Sequence, residues 1–430
     1  MAIMNIWLRR TYFLFSVLVF AVIATLLIIY ATGWRYDINT KSLGKVGALS
    51  VNSQPNGANV YLNGKISKEK TPISTNDLIA DEYRLSIWKD GYYDWQQTIN
   101  IEETKTTFIP HVYLIKKQNL DNLYLTSKMK YYKLSNDRKL IAYQTENNLI
   151  IYNLESDKQI FNNSITDDIT NFYWNNNNES IIFENNNGFY LLNINEDNFS
   201  SLNKSFQITP THVFWSNNEP NIIYSSQDND LYRINKYQNT KELIFSDKHI
   251  IHQYGDYFFV LDNSNILSVI DAEESTINEL DLDINHSLKF SDPINGFLPI
   301  IDINNSTGYY FDLENLIFIS ITENIDSIDY TDSNNLLYTN SHEIWNINSQ
   351  ENAKELIIRT SEYINNAYWL INGQYIIYTT DNNQIKISEI NRPTNNTYEI
   401  DHQMINNLER GYEDNIFFLI NESGIYILEF

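Results

Sequence analysis

The side chains that ordinarily carry chemistry are sparse in this chain and poorly spaced for it. His249 and His252 stand three residues apart. On a strand that spacing places them on opposite faces, so the pair is not expected to share a metal. The acidic clusters Asp228-Asn229-Asp230 and Asp281-Leu282-Asp283 offer the oxygen ligands that calcium prefers. Neither completes a recognised calcium loop, and both read more simply as solvated turns, with calcium the alternative occupant. The chain has no cysteine, no His-Glu-x-x-His zinc motif, no phosphate loop and no Gly-x-Ser-x-Gly elbow. No catalytic, cofactor-binding or metal-ligating residue is therefore assigned, and an enzyme is the secondary reading. A carboxylate pair assembled across distant segments stays open, because sequence separation does not report its geometry.

Charge excludes one class of partner. Asp and Glu number 54 against 30 Lys and Arg, a formal charge of −24. Such a surface repels phosphate backbones, so nucleic acid is not an expected partner. The 31 Tyr, 21 Phe and 8 Trp are too many for a disordered acidic chain. Short Asn runs such as 175–178 and 185–187 suit turns, since Asn tolerates left-handed backbone angles.

Whatever chemistry exists must be positioned by an anchored β protein. Residues 11–34 carry no charge, and the apolar stretch 12–31 as a helix is long enough for a hydrocarbon slab roughly 30 Å thick. A cleavable signal would have a shorter apolar run ending in a small-x-small site. Ile29-Tyr30-Ala31 lacks the first small residue. Arg9 and Arg10 precede the helix, which favours a cytoplasmic N-terminus. The expected layout is a tail at 1–10, a signal-anchor helix at 11–34 in the lipid bilayer, a neck at 35–43, and residues 35–430 extracytoplasmic.

Alternating apolar and polar residues at 48–52, 58–63 and 83–88 predict strands. Gln54-Pro55-Asn56-Gly57, Asn63-Gly64 and Lys89-Asp90-Gly91 between them are turn signals. The order continues through Thr71-Pro72, Gly91-Tyr92 and strand-like 99–101 and 108–114. In this order residues 44–117 resemble the PEGA domain family. Pro55, Gly57 and Ala58 stand at three of the four name-giving positions, while Asn56 replaces the Glu and Ala80-Asp81-Glu82 replaces a Pro-Gly. The resemblance implies a small β-sandwich of exported and envelope proteins, without enzymatic activity. Trp88, Tyr92, Tyr93 and Trp95 are expected to serve sheet packing.

Beyond residue 117 an internal repeat takes over. Tyr132, Trp174, Trp215, Tyr254, Phe290, Tyr330, Trp369 and Tyr412 open successive units spaced 42, 41, 39, 36, 40, 39 and 43 residues apart. A period near 40 with strand alternation predicts the four-stranded blades of a propeller. Compact runs such as 140–143, 181–183 and 375–378 predict covered second strands, and more polar fourth strands such as 241–245 predict outer edges. The last unit ends after its third strand, whereas residues 120–126 are a surplus strand before the first. Their pairing would close an eight-bladed ring and remove two exposed edges. Seven blades is the alternative, if the Pro293 and Pro299 region is an insertion. The units resemble the WD40-like repeats of the bacterial Tol propeller, keeping the Trp and its turn but losing the Pro.

The expected fold is thus all-β with one transmembrane helix: a PEGA-like sandwich at 44–117, then a propeller at 118–430. The expected function is a membrane-tethered binding or scaffold protein of the cell envelope, presenting the propeller to a protein or glycan partner. Two other readings are a propeller-borne hydrolase or lyase on extracellular polymers and a structural surface-layer component.

Overall fold

The computed structural model describes the chain except residues 1–5, 38–41, 119–122, 197, 256, 263, 265, 272–275, 282–286, 292–295, 324, 333–334, 349–352, 372, 383, 391–395, 402–406, 414 and 422. It divides into two compact units: residues 1–117 with 391–396, and residues 118–390 with 397–430.

The first unit begins with helix α1, Ile6–Ala31. Its stretch Arg10–Ala31 is long and apolar enough to cross a membrane, and none of it is covered by protein. Hydroxyls in the helix bond back to its own carbonyls: Ser16 donates to Phe13 at 2.9 Å and Thr25 to Ala21 at 2.8 Å. That arrangement satisfies these hydroxyls without recourse to water. The helix is one turn longer at its start than the uncharged stretch, and ends three residues earlier than residue 34. Gly33, at φ +84°, breaks it, and the Gly33 amide caps the Tyr30 carbonyl at 3.2 Å.

The first described residues of the expected neck are in a strand. Trp34–Asp37 forms strand β1 and pairs antiparallel with the start of β2, Ser42–Gln54, in the register Trp34↔Lys45 to Asp37↔Ser42. Backbone pairing next to the helix satisfies donors and acceptors that would otherwise be left to solvent. Arg35 fastens the joint. Its guanidinium lies 3.8 Å from the Tyr30 ring centroid, bonds the Tyr30 carbonyl at 2.9 Å and pairs with Asp77 at 3.2 Å.

The remaining strands of this unit are β3 (Asn59–Leu62), β4 (Lys65–Lys70), β5 (Ile73–Ile79), β6 (Glu82–Trp88), β7 (Trp95–Asn100) and β8 (Thr106–Tyr113). They form two four-stranded sheets, β1-β2-β5 with β8 parallel to β2, and β4-β3-β6-β7. Asn63 and Gly64 both take positive φ, as a two-residue hairpin between β3 and β4 demands. Strands β4 and β5 escape alternation: KISKEK on the β4 edge is almost wholly exposed. The strand expected at 99–101 is the end of β7. Leu49, Val60, Leu85, Ile87, Trp95 and Val112 fill the space between the sheets. Trp95 is completely buried, whereas Trp88 is 38% exposed.

In the second unit, described residues form eight four-stranded antiparallel sheets; seven are meanders in chain order, and the eighth takes its fourth strand from before the first. Their first strands are Tyr131–Leu134, Ile169–Trp174, His212–Trp215, Ile250–Tyr254, Leu288–Phe290, Ser327–Asp332, Ile364–Leu370 and Asn407–Arg410. Seven of the eight opening aromatics lie on these strands; Tyr412 falls just after the last. Second strands are buried throughout at Leu140–Gln144, Tyr375–Thr380 and Ile416–Asn421, while the fourth strands Lys158–Ser164 and Thr240–Phe245 are mostly exposed. Apolar clusters join each sheet to the next, from Ile181 and Trp174 against Ile151 onward to Trp369 against Leu337. Sheets seven and eight meet at Tyr368, whose ring lies 5.8 Å from that of Phe417. A further cluster packs Ile141 and Ile150 of the first sheet against Phe418 and Ile425 of the last. The succession therefore returns on itself, which is a propeller.

The ring is sealed by backbone. Strand β9, Leu125–Thr126, pairs with Ile425 and Gly424, flanked by bonds from the Tyr124 amide to Ile425 at 2.7 Å and from the Ser127 amide to Ser423 at 3.1 Å. The expected segment 120–126 is thus seen pairing only at its end, since 120–122 lie outside the described residues.

Candidate functional site

Two of the Trp residues that mark the repeat, Trp174 and Trp215, are staples between sheets. Trp174 Nε1 donates to the Lys133 carbonyl at 3.2 Å, and Trp215 Nε1 donates to the Tyr173 carbonyl at 2.8 Å. Each indole thus satisfies a carbonyl on the first strand of the preceding sheet, a contact that strand periodicity cannot reveal. Just beyond these strands, buried Ser135 and Asn175 close the turns: Ser135 Oγ accepts from Leu140 N at 2.9 Å, and Asn175 Oδ1 from Ser180 N at 2.9 Å. These turns set the first strands in place, and Asn and Ser serve there because a short polar side chain can bond its own neighbouring backbone.

A polar band runs along the first strands. Tyr131 OH donates to Asn171 Oδ1 at 3.2 Å, Asn171 Nδ2 to Tyr173 OH at 3.0 Å, and Tyr173 OH to Glu184 Oε2 at 3.0 Å. Burial, reinforced by Glu184, pushes the Tyr173 phenol well above its ordinary value, so it stays a neutral donor.

At the seam between first and last sheets the band opens into a cavity of about 370 Å³. Residues 130–135, Arg138, Asn407 and Glu409 line it. Asn407 Nδ2 donates to Tyr132 OH at 2.9 Å and to Glu409 Oε1 at 2.6 Å. Burial holds the Glu409 carboxyl above the usual range, opposed by the positive charges of Lys133, Arg138 and Lys289 and by Asn407. Burial likewise pushes Tyr132 up to about 12, the Asn407 bond opposing and the Glu409 charge adding. Lys130 is engaged with Asp168 at 2.8 Å. Among the described residues, Lys133 and Arg138 form no ion pair within 4.0 Å.

The histidines lie elsewhere on the ring. A bulge between Ile250 and His252 interrupts the alternation on which the opposite-face expectation rests. His252 stacks on Phe290 with ring centroids 4.2 Å apart, edged by Phe214 and Phe259. Burial lowers its imidazole to about 4. His249 instead meets His212 at 6.4 Å between centroids, and burial followed by the His249 charge lowers His212. Asp228 and Asn229, both at positive φ, form a hairpin turn, and Asp230 Oδ1 accepts from the Asp247 amide at 3.3 Å. Among the described residues no three His, Asp or Glu side chains gather as cation ligands; Leu282 and Asp283 lie outside them.

The PEGA domain family matches residues 46–112. No curated protein matches the chain. Among solved structures, the C-terminal WD40 domain of Sif2 aligns at 14% identity over 72% of this chain and 98% of its own, with a TM-score of 0.49. The computationally designed Ika8 protein aligns at 10% identity over 71% and 97%, with a TM-score of 0.48. A eukaryotic initiation factor aligns at 10% identity over 74% and 91%, also with a TM-score of 0.48.

Proposed function

We propose that this chain is a single-pass, membrane-anchored scaffold of the cell envelope, with its PEGA domain and an eight-bladed propeller extracytoplasmic and the propeller presenting a binding surface to a partner. The observation that carries the reading is the joint at Gly33. An apolar helix with no protein cover passes into β1 of the PEGA sandwich with only a turn between. A lipid bilayer is the environment in which such a helix loses least, since its exposed Phe, Leu and Ile side chains each gain roughly 1.5 to 3 kcal/mol on leaving water. Arg9 and Arg10, in the first turns of the helix and just before its uncharged stretch, support an internal N-terminus. The sealed ring supports a binding role, because closure presents the rim and the channel mouth to a partner as fixed surfaces.

Two measurements test this. After alkaline carbonate extraction the full chain is expected in the membrane pellet, and a tag at Phe430 is expected to be digested by protease added to intact cells. Recovery of the chain in the soluble fraction, or a protected tag, would overturn the anchor or the orientation respectively.

A further inference from the structure

The seam cavity sets itself apart by charge. The chain as a whole is strongly acidic at −24, yet the cavity collects Lys130, Lys133 and Arg138 against one carboxyl, Glu409. Lys289, on the first strand of the fifth sheet, adds its field at Glu409. Only Lys130 has its charge answered by a carboxylate within 4 Å among the described residues.

We propose that this cavity is a binding site for an acidic peptide segment, with Lys133 and Arg138 gripping one of its carboxylates and the Glu409 side chain as the group that gates it. The inference rests on the reading of the propeller as the partner-binding part of the chain.

Three features select that ligand. A guanidinium beside an ammonium suits a carboxylate, which can take the fork of the one and a point contact from the other. The volume of about 370 Å³ accommodates an acidic side chain with its neighbour. A sugar needs an open aromatic face, and neither tyrosine offers one freely: Tyr131 stacks on Phe172 at 5.7 Å, and Tyr132 packs into the apolar seam and bonds Asn407.

Glu409 gives the site a direction with pH. In its charged form the carboxylate competes with the ligand for Lys133 and Arg138. In its protonated form it leaves both cations to the ligand and becomes a donor itself. Lys133, Arg138 and Tyr132 from the first sheet, Lys289 from the fifth and Asn407 beside it are the groups that face it. Protonation is aided by burial and resisted by the three cations, so affinity rises as pH falls through the raised value.

The test uses the full chain in nanodiscs of zwitterionic lipid, with fluorescently labelled oligoglutamate as probe and oligoglutamine of equal length as control. Oligoglutamate is expected to bind and weaken with salt; oligoglutamine is not. The double variant Lys133→Ala, Arg138→Ala is expected to lose about tenfold or more in affinity, and Lys133→Ala alone a substantial part of it, as charge-assisted contacts imply. Glu409→Gln is expected to bind more tightly at neutral pH and to lose the pH dependence. Equal binding of both peptides, or unchanged affinity in the double variant with its thermal midpoint retained, would overturn the site. Inorganic phosphate or an oligoglucuronate binding at Lys133 and Arg138 where oligoglutamate does not would overturn the peptide as its ligand. Binding in nanodiscs is indifferent to orientation in the cell, so failure here and failure of the topology assay are separate results.

Discussion

Gly424 lies so close to Leu125 that a Cβ on the glycine would stand 1.9 Å from the Leu125 carbonyl oxygen. The contact is where the last sheet accepts the strand from before the first, through the pair Gly424↔Thr126 and its neighbour Ile425↔Leu125. Gly424 also holds φ at +146°, which side chains resist. Gly424→Ala must therefore push β9 away or distort the last hairpin. We expect a loss of about 3 kcal/mol, from backbone strain and overpacking together. Denaturant unfolding of the variant measures it, and unchanged stability would mean that β9 does not clamp the ring.

His252 makes stability depend on pH. Its folded value is lowered by burial from 6.5 to about 4, so between these values the unfolded chain binds the extra proton. Its contribution is complete above pH 6.5 and is lost as pH falls toward about 4, amounting to at most about 3 kcal/mol. His252→Phe keeps a flat ring against Phe290 and removes the proton. The variant's stability is expected to fall less steeply over that range; a slope identical to the parent's would count against the buried neutral imidazole.

Glu362 acts with the same sign from a different cause. Its bond to Lys386 lowers the carboxyl below its ordinary value, with Asn382 helping. Both side chains of the pair are largely covered, at 12% exposure for Lys386 and 22% for Glu362. Stability from this pair is present above the ordinary carboxyl range and disappears as pH falls through the lowered value. Glu362→Gln leaves the ammonium with Glu399 at 3.5 Å as its remaining carboxylate partner. The expected cost is about 2 kcal/mol at neutral pH, read by thermal unfolding of parent and variant at neutral and acid pH.

Trp95→Ala addresses the sandwich. The indole is completely buried between its two sheets, and its removal is expected to cost about 3 to 5 kcal/mol. Limited proteolysis should then cut first within residues 44–117. Preferential cutting in the propeller instead would show that Trp95 does not hold the sandwich together.

Much of this architecture is visible in local pattern. Apolar runs such as 140–143 and 375–378 mark covered strands because a sheet buried on both faces tolerates little else. Pro55, Gly57 and the Asn63-Gly64 pair mark turns because their backbone demands are local. The misses have physical causes too. Strand β4 is an exposed edge whose pairing comes from β3 rather than from an apolar face, and β1 reads as a neck because four residues carry no period. The bulge at His252 interrupts the alternation from which facing is read along a strand.

The chain's own order of residues determined that there is one apolar helix, a turn-rich β module and a repeat near 40 residues, since each depends on spacing along the chain alone. What meets at the seam was decided by the tertiary structure. Tyr132 and Asn407 are 275 residues apart and hydrogen-bonded, and Lys133, Arg138 and Glu409 share a cavity only because the ring returns to its beginning. No periodicity carries that information: a strand repeat specifies which face is covered, while ring closure specifies which charges are left facing one another.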